Sequence, residues 1–108
     1  MSAITTHVLD TARGRPAAGV PIVLRLEGRE VGRGVTDADG RLRTLLPAGE
    51  LPAGVYEIVF DTAAYFASLG IEGLYPEVPV RFHVREPGGH YHIPLLISPY
   101  GYSTYRGS

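Results

Sequence analysis

The chain has no cysteine. That removes disulfides, thiolate nucleophiles and cysteine-based zinc sites, and it leans toward a reducing compartment. It also lacks a dominant charge. Ten Lys and Arg against eleven Asp and Glu leave a formal net charge of −1, so no field draws it toward nucleic acid or an anionic membrane. The basic residues form neither a cluster nor a nucleic-acid motif. No apolar run approaches the ~20 residues of a membrane span. Met1 to His7 carries no charged leader and no apolar h-region, and Arg106-Gly107-Ser108 is not a peroxisomal Ser-Lys-Leu signal. A cytoplasmic protein without nucleic-acid or membrane partners is expected. Several chemical motifs are missing too. No Gly-x-Ser-x-Gly occurs. Gly32-Arg33-Gly34 lacks the third glycine and the following helix of a dinucleotide fingerprint. Asp37-Ala38-Asp39-Gly40 begins like a calcium loop, but Ala48 stands where a bidentate Glu is required.

What is present is a chain of 108 residues, 44% hydrophobic and 19% charged, which fits one globular domain over residues 1–108. Fourteen glycines and nine prolines fall between short apolar runs, the pattern of an all-β sandwich or barrel. Strands are expected at 4–11, 20–27, 30–36, 41–45, 54–60, 78–84 and 90–97, with a last one after Ser98-Pro99. The stretch 13–16 reads as a loop. Val20, Ile22, Leu24 and Leu26 share one face of their strand, as do Tyr56, Ile58 and Phe60, and Val78, Val80, Phe82 and Val84. Asp61-Thr62 offers N-caps to the only credible helix, 63–69, which Gly70 closes.

Four histidines stand at 7, 83, 90 and 92. His90 and His92 share a strand face with Pro94 and Leu96, while Tyr91, Ile93, Leu95 and Ile97 form the apolar core face. His7 shares its face with Thr5 and Leu9. By residue pattern alone these are either ordinary surface histidines or members of a site. His-x-His can present two imidazoles to one zinc, but a catalytic zinc needs a third ligand. His7 could serve only if the two strands adjoin. Arg41, just after the Gly40 turn, is either a solvated loop residue or one that reaches a ligand over the sheet. The stretch 101–108, Gly-Tyr-Ser-Thr-Tyr-Arg-Gly-Ser, places aromatic and hydroxyl residues at strand spacing with an arginine near its end. That concentration of polar chemistry on an ordered strand end reads as part of a site.

Thr6-His7-Val8-Leu9-Asp10, Thr36-Asp37-Ala38-Asp39-Gly40-Arg41, His90-Tyr91-His92-Ile93-Pro94-Leu95-Leu96 and Tyr105-Arg106-Gly107-Ser108 together resemble the 5-hydroxyisourate hydrolases, the transthyretin-related enzymes of urate breakdown. The resemblance runs in order from about residue 3 to Ser108. Transthyretin itself has lysine at His7, glutamate at Arg41 and threonine at His92, and lacks the closing tetrapeptide. The resemblance implies a sandwich of two four-stranded sheets with one short helix. It implies a first strand beside the His90–His92 strand, and a last strand on the far side of that. His7, His92, Ser103, Tyr105 and Gly107 would then share a sheet face. Homotetramers would bring these faces together in a channel with sites at the dimer–dimer interface. The implied reaction is hydrolysis of 5-hydroxyisourate, with His7, Arg41 and His92 catalytic and Tyr105, Arg106, Gly107 and Ser108 also contacting substrate. No metal or organic cofactor is implied. A non-catalytic carrier of a small aromatic ligand, or a sandwich that only mediates contacts, remains the alternative; neither needs the two histidines and Arg41.

Overall fold

Period-two alternation sets the architecture. In the computed structural model, which describes residues 3–46, 51–85 and 87–108, nine strands and one helix form a two-sheet sandwich. The strands are β1 (Ile4–Asp10), β2 (Arg15–Pro16), β3 (Pro21–Leu26), β4 (Arg29–Val35), β5 (Arg41–Leu42), β6 (Gly54–Phe60), β7 (Val78–Val84), β8 (Tyr91–Ser98) and β9 (Gly101–Thr104); α1 spans Thr62–Ser68. One sheet is four-stranded in the order β4-β3-β6-β7, all antiparallel. The other runs β2-β1-β8-β9, with β5 as an additional strand on β1. It therefore has five strands rather than the expected four. The two-residue strands β2 and β5 divide one edge of β1 between them, β2 facing Leu9 and Asp10 and β5 facing Thr6 and His7. The stretch 13–16, expected to be all loop, thus contributes a short strand. Glu27, expected to continue β3, instead enters the turn with a positive φ of 48°. The expected turn at Pro47-Ala48-Gly49, and Glu86, lie outside the described residues.

The core lies between the sheets, where each expected apolar face points inward. Ile22 and Leu24 of β3, Tyr56, Ile58 and Phe60 of β6, and Val78, Val80 and Val84 of β7 are buried on one side; Ile4 and Val8 of β1, and Ile93, Leu95 and Ile97 of β8, meet them from the other. Removing such side chains from water, at ~25 cal/mol per Å² of apolar surface, is what fixes the register of each strand. Helix α1 is capped by Asp61, whose side chain accepts from the Ala64 N–H. Its Tyr65 hydroxyl donates to buried Asp10 at 2.7 Å, and the Ala12 and Arg13 N–H groups donate to the other oxygen of the same carboxylate. The end of β1 is thereby tied to the helix.

One turn carries Arg41 into place. Asp37 Oδ1 accepts from the N–H groups of Asp39 and Arg41, and the Gly40 carbonyl accepts from Val8 N–H at 2.7 Å. Gly40 has φ +75°, and a Cβ there would lie 2.4 Å from the Val8 carbonyl oxygen. Gly40→Ala should therefore cost at least about 1–3 kcal/mol of stability from backbone strain alone, and it should part β5 from β1. Thermal denaturation checks the first effect, and loss of slow amide exchange at Val8 checks the second. A variant that melts with the wild type would show that the turn tolerates a side chain.

Candidate active site on the outer face of the β1–β8 sheet

Strand β1 runs parallel to β8 in the register Thr5↔His92, His7↔Pro94 and Leu9↔Leu96. Residues in register share a face, so Thr5 and His7 stand on the outer side with His92 and Pro94. The antiparallel pairing of β5 adds Arg41 directly beside His7. On the far side of β8, Leu96 faces Ser103, and an isolated bridge joins His92 to Gly107. Four separate stretches of sequence thus meet on one surface. Pairing, not proximity in sequence, assembles them.

At its centre is an open hollow of about 220 Å³ lined by Thr5, Arg41, Arg43, His90, His92 and Ser108, with Thr6 at its base. His92 is half-buried. Its Nδ1 lies 2.8 Å from Thr5 Oγ1, so Nε2 is the nitrogen left for chemistry. His7 stands one register step along β1, beside Arg41 rather than in the lining. Its Nε2 is 2.9 Å from the Asp39 carbonyl. A carbonyl can only accept, so Nε2 carries the proton and neutral His7 keeps a lone pair on Nδ1.

Gly107 closes the site on the β9 side. Its N–H donates to the His92 carbonyl at 2.8 Å, and a Cβ on it would sit 2.5 Å from His92 Cδ2. No side chain fits between the terminal segment and that ring. Tyr105 is exposed and does not reach the hollow. Arg106 is elsewhere. Its guanidinium lies 4.3 Å over the Tyr91 ring, and Nη2 is 3.4 Å from the His90 carbonyl. Tyr91 belongs to the core-side face of β8, so the structure does not bring Arg106 together with His7, Arg41 and His92. Its stacking holds the segment down. Three lining residues, Thr5, Thr6 and Arg43, were not anticipated. Thr5 and Arg43 have the spacing that could have revealed them, since each is two residues from a candidate on the same strand or its continuation.

The charged side chains that line the hollow, Arg41 and Arg43, are both cationic. Burial, then the cations and imidazoles around it — Arg41, His7 and His90 in that order — hold the His92 pKa below the usual histidine value, against a smaller opposing hydrogen bond from the ring to the Thr5 backbone. A lowered pKa leaves the imidazole neutral at physiological pH and able to take a proton. Among the described residues, no cluster of three or more His, Asp or Glu side chains has a spacing that could hold a metal ion.

The electrostatic reading makes His92 testable by NMR titration. Its ring should titrate below the ordinary ~6.5, and Arg41→Gln should raise that value without restoring it fully, because burial is the larger cause. A His92 that titrates at or above the ordinary value would contradict the geometry.

A sequence model of the HIUase/Transthyretin family matches residues 4–107. The 5-hydroxyisourate hydrolase of Mesorhizobium japonicum is 52% identical over 97% of this chain and 91% of its own length. The solved structure of Klebsiella pneumoniae 5-hydroxyisourate hydrolase superposes with a TM-score of 0.91 at 44% identity, covering both chains fully. Transthyretin from Sparus aurata reaches the same TM-score at 33% identity, over 99% of this chain and 97% of its own. Fold, strand order and sequence agree, and the chain belongs to the HIUase/Transthyretin family.

Proposed function

We propose that this protein hydrolyses 5-hydroxyisourate, and that the hollow on the outer face of the β1–β8 sheet is where it does so. The observation that carries the reading is the convergence of Arg41 and His92 on one hollow, with His7 paired in register to Arg41. Relatives at 52% and 44% identity bear the name 5-hydroxyisourate hydrolase. Opening the N1–C6 amide of a flat oxidised purine requires three things: a water made nucleophilic, stabilisation of charge on the attacked carbonyl oxygen, and a proton for the departing nitrogen.

Each requirement has a residue. His92, neutral and half-buried, takes the proton of the attacking water at Nε2. The Arg41 guanidinium, always charged, binds the oxygen-rich edge of the ring through charge-assisted hydrogen bonds. His7, its Nε2 committed to Asp39, exchanges protons through Nδ1. The water oxygen bonds to C6, the C6–N1 bond breaks, and N1 receives a proton. The product is 2-oxo-4-hydroxy-4-carboxy-5-ureidoimidazoline. Ser108 lines the hollow, the Gly107 backbone closes its β9 side, and Arg106 keeps the terminal segment in place. These roles need no metal or organic cofactor.

The hollow is smaller than the ~300 Å³ at which enclosed ligand pockets begin, and it is open to one side. A facing copy of the same sheet would close it. We therefore propose a homotetramer with sites at the dimer–dimer interface. Pro94 and Leu96 on β8 and Leu9 on β1, an unusual apolar content for an outer face, support that arrangement. No helix among the described residues is long and apolar enough to cross a membrane.

The test is to generate 5-hydroxyisourate in situ and follow its ultraviolet decay. Wild-type protein should accelerate it, and alanine at His7, Arg41 or His92 should each lower kcat/KM by ~10²-fold or more. Light scattering on the same samples should give four times the chain mass for all four proteins. Wild-type turnover by two of the three variants would overturn the assignment, and a monomer with full activity would overturn the tetramer.

A further inference from the structure

Behind His92 the structure holds a second histidine on the same hydroxyl. Thr5 Oγ1 lies 2.8 Å from His92 Nδ1 and 3.4 Å from His90 Nε2. The arrangement follows from register. Thr5 is the β1 partner of His92, and His90, two residues earlier on the same face, reaches the same oxygen from the strand end. Thr5 is only 7% exposed, whereas His90 is open to solvent. The three groups form a line from the half-buried ring to bulk water.

A threonine hydroxyl has one proton and two lone pairs, so between two imidazole nitrogens it can accept from one while donating to the other. That is the property a proton relay needs. A side chain of the same shape without the hydroxyl would hold the rings equally far apart and pass nothing. We propose that Thr5 and His90 form a proton relay behind His92, with His90 holding the proton of the attacking water until the leaving nitrogen requires one.

The step balances. In the starting state His92 carries its proton on Nδ1, donated to Thr5 Oγ1, and the Thr5 hydroxyl donates to the bare Nε2 of His90. As His92 Nε2 takes a proton from water, Nδ1–H passes to Oγ1 and the Thr5 proton passes to His90 Nε2. Water oxygen bonds to the carbonyl carbon in the same event. His92 ends neutral in its other tautomer, Thr5 is unchanged, and His90 has gained one proton as imidazolium. The reverse passage, when Nε2 gives its proton to the departing ring nitrogen, restores every starting tautomer. The positive charge therefore sits on the exposed His90 and not on His92, which faces Arg41. No oxidant, reductant or further reactant enters.

This inference rests on the hydrolase reading above, so its test is built to fail separately from it. Thr5→Val removes the hydroxyl and keeps the shape; Thr5→Ser keeps the hydroxyl; His90→Ala removes the proton store. In dilute, non-imidazole buffer, Thr5→Val and His90→Ala should each lower kcat by roughly tenfold with KM little changed, less than the ~10²-fold expected from loss of a direct base. Thr5→Ser should recover most of the rate. Added imidazole should restore His90→Ala but not Thr5→Val, because the break in Thr5→Val lies upstream of the solvent-exposed position. The ring ¹⁵N shifts of His92 should report a changed tautomer balance in Thr5→Val and an unchanged one in Thr5→Ser. Wild-type kcat with wild-type His92 tautomers in Thr5→Val would overturn the relay. So would a His90→Ala rate that is low but indifferent to imidazole. A wild-type protein without hydrolase activity would overturn the functional reading instead, and the tautomer measurement would still decide whether Thr5 couples to His92.

Discussion

The parallel pairing of β1 with β8 is the constraint on which the rest depends. Seven residue pairs run from Ile4↔Tyr91 to Asp10↔Ile97, and they fix two things at once. On the inner side they bury Ile4, Val8, Ile93, Leu95 and Ile97. On the outer side they put Thr5 against His92 and His7 against Pro94. Because side chains alternate, a slip of one residue would turn the apolar set outward and the imidazoles inward. The cost of that exchange holds the candidate site residues in place. Stability and chemistry are thus two faces of one register.

The outer face sets two guanidiniums, Arg41 and Arg43, beside the imidazoles of His7, His90 and His92, although the whole chain is nearly neutral. This local excess has two consequences. It favours an oxygen-rich, acidic ligand over a neutral or cationic one. It also resists adding a further positive charge to His92, which keeps that ring neutral and basic. Both effects are what amide hydrolysis of an acidic ring requires. The turn at 37–40 supplies the cation without a long strand. Hydrogen bonds from the Asp39 and Arg41 N–H groups to the Asp37 carboxylate, and from the Val8 N–H to the Gly40 carbonyl, let a two-residue β5 hold Arg41.

Much of this was legible in the sequence, because it depends on periodicity and local chemistry. The alternating faces of β3, β6, β7 and β8 emerge where the pattern puts them. The Asp61 cap and the Gly70 stop bracket α1, and Gly40 has the positive φ its turn requires. What the pattern could not supply was pairing. The two-residue strand at Arg15–Pro16 carries no periodicity of its own and exists only because the edge of β1 accepts it. Glu27 looks like a strand residue until the hairpin claims it. Arg106 sits among Tyr105, Gly107 and Ser108, so adjacency groups it with them. Parity separates it, since the register from Leu95↔Thr104 through His92↔Gly107 sets Arg106 on the Ile93 side. Thr5 shares a strand face with His7, but its role depends on lying across from His92. That is a fact of two strands and of neither alone.

The proposed chemistry requires Arg41 and His92 to bind the reacting ring together, on the outer face of the β1–β8 sheet. The most direct measurement is a crystal structure with a non-hydrolysable analogue of the oxidised purine. The analogue should lie in the hollow, with its oxygen-rich edge on the Arg41 guanidinium and His92 Nε2 within hydrogen-bond reach of the carbonyl region, ~3 Å. An analogue bound instead beside Arg85 and Arg106, with the hollow between Arg41 and His92 left to solvent, would contradict it.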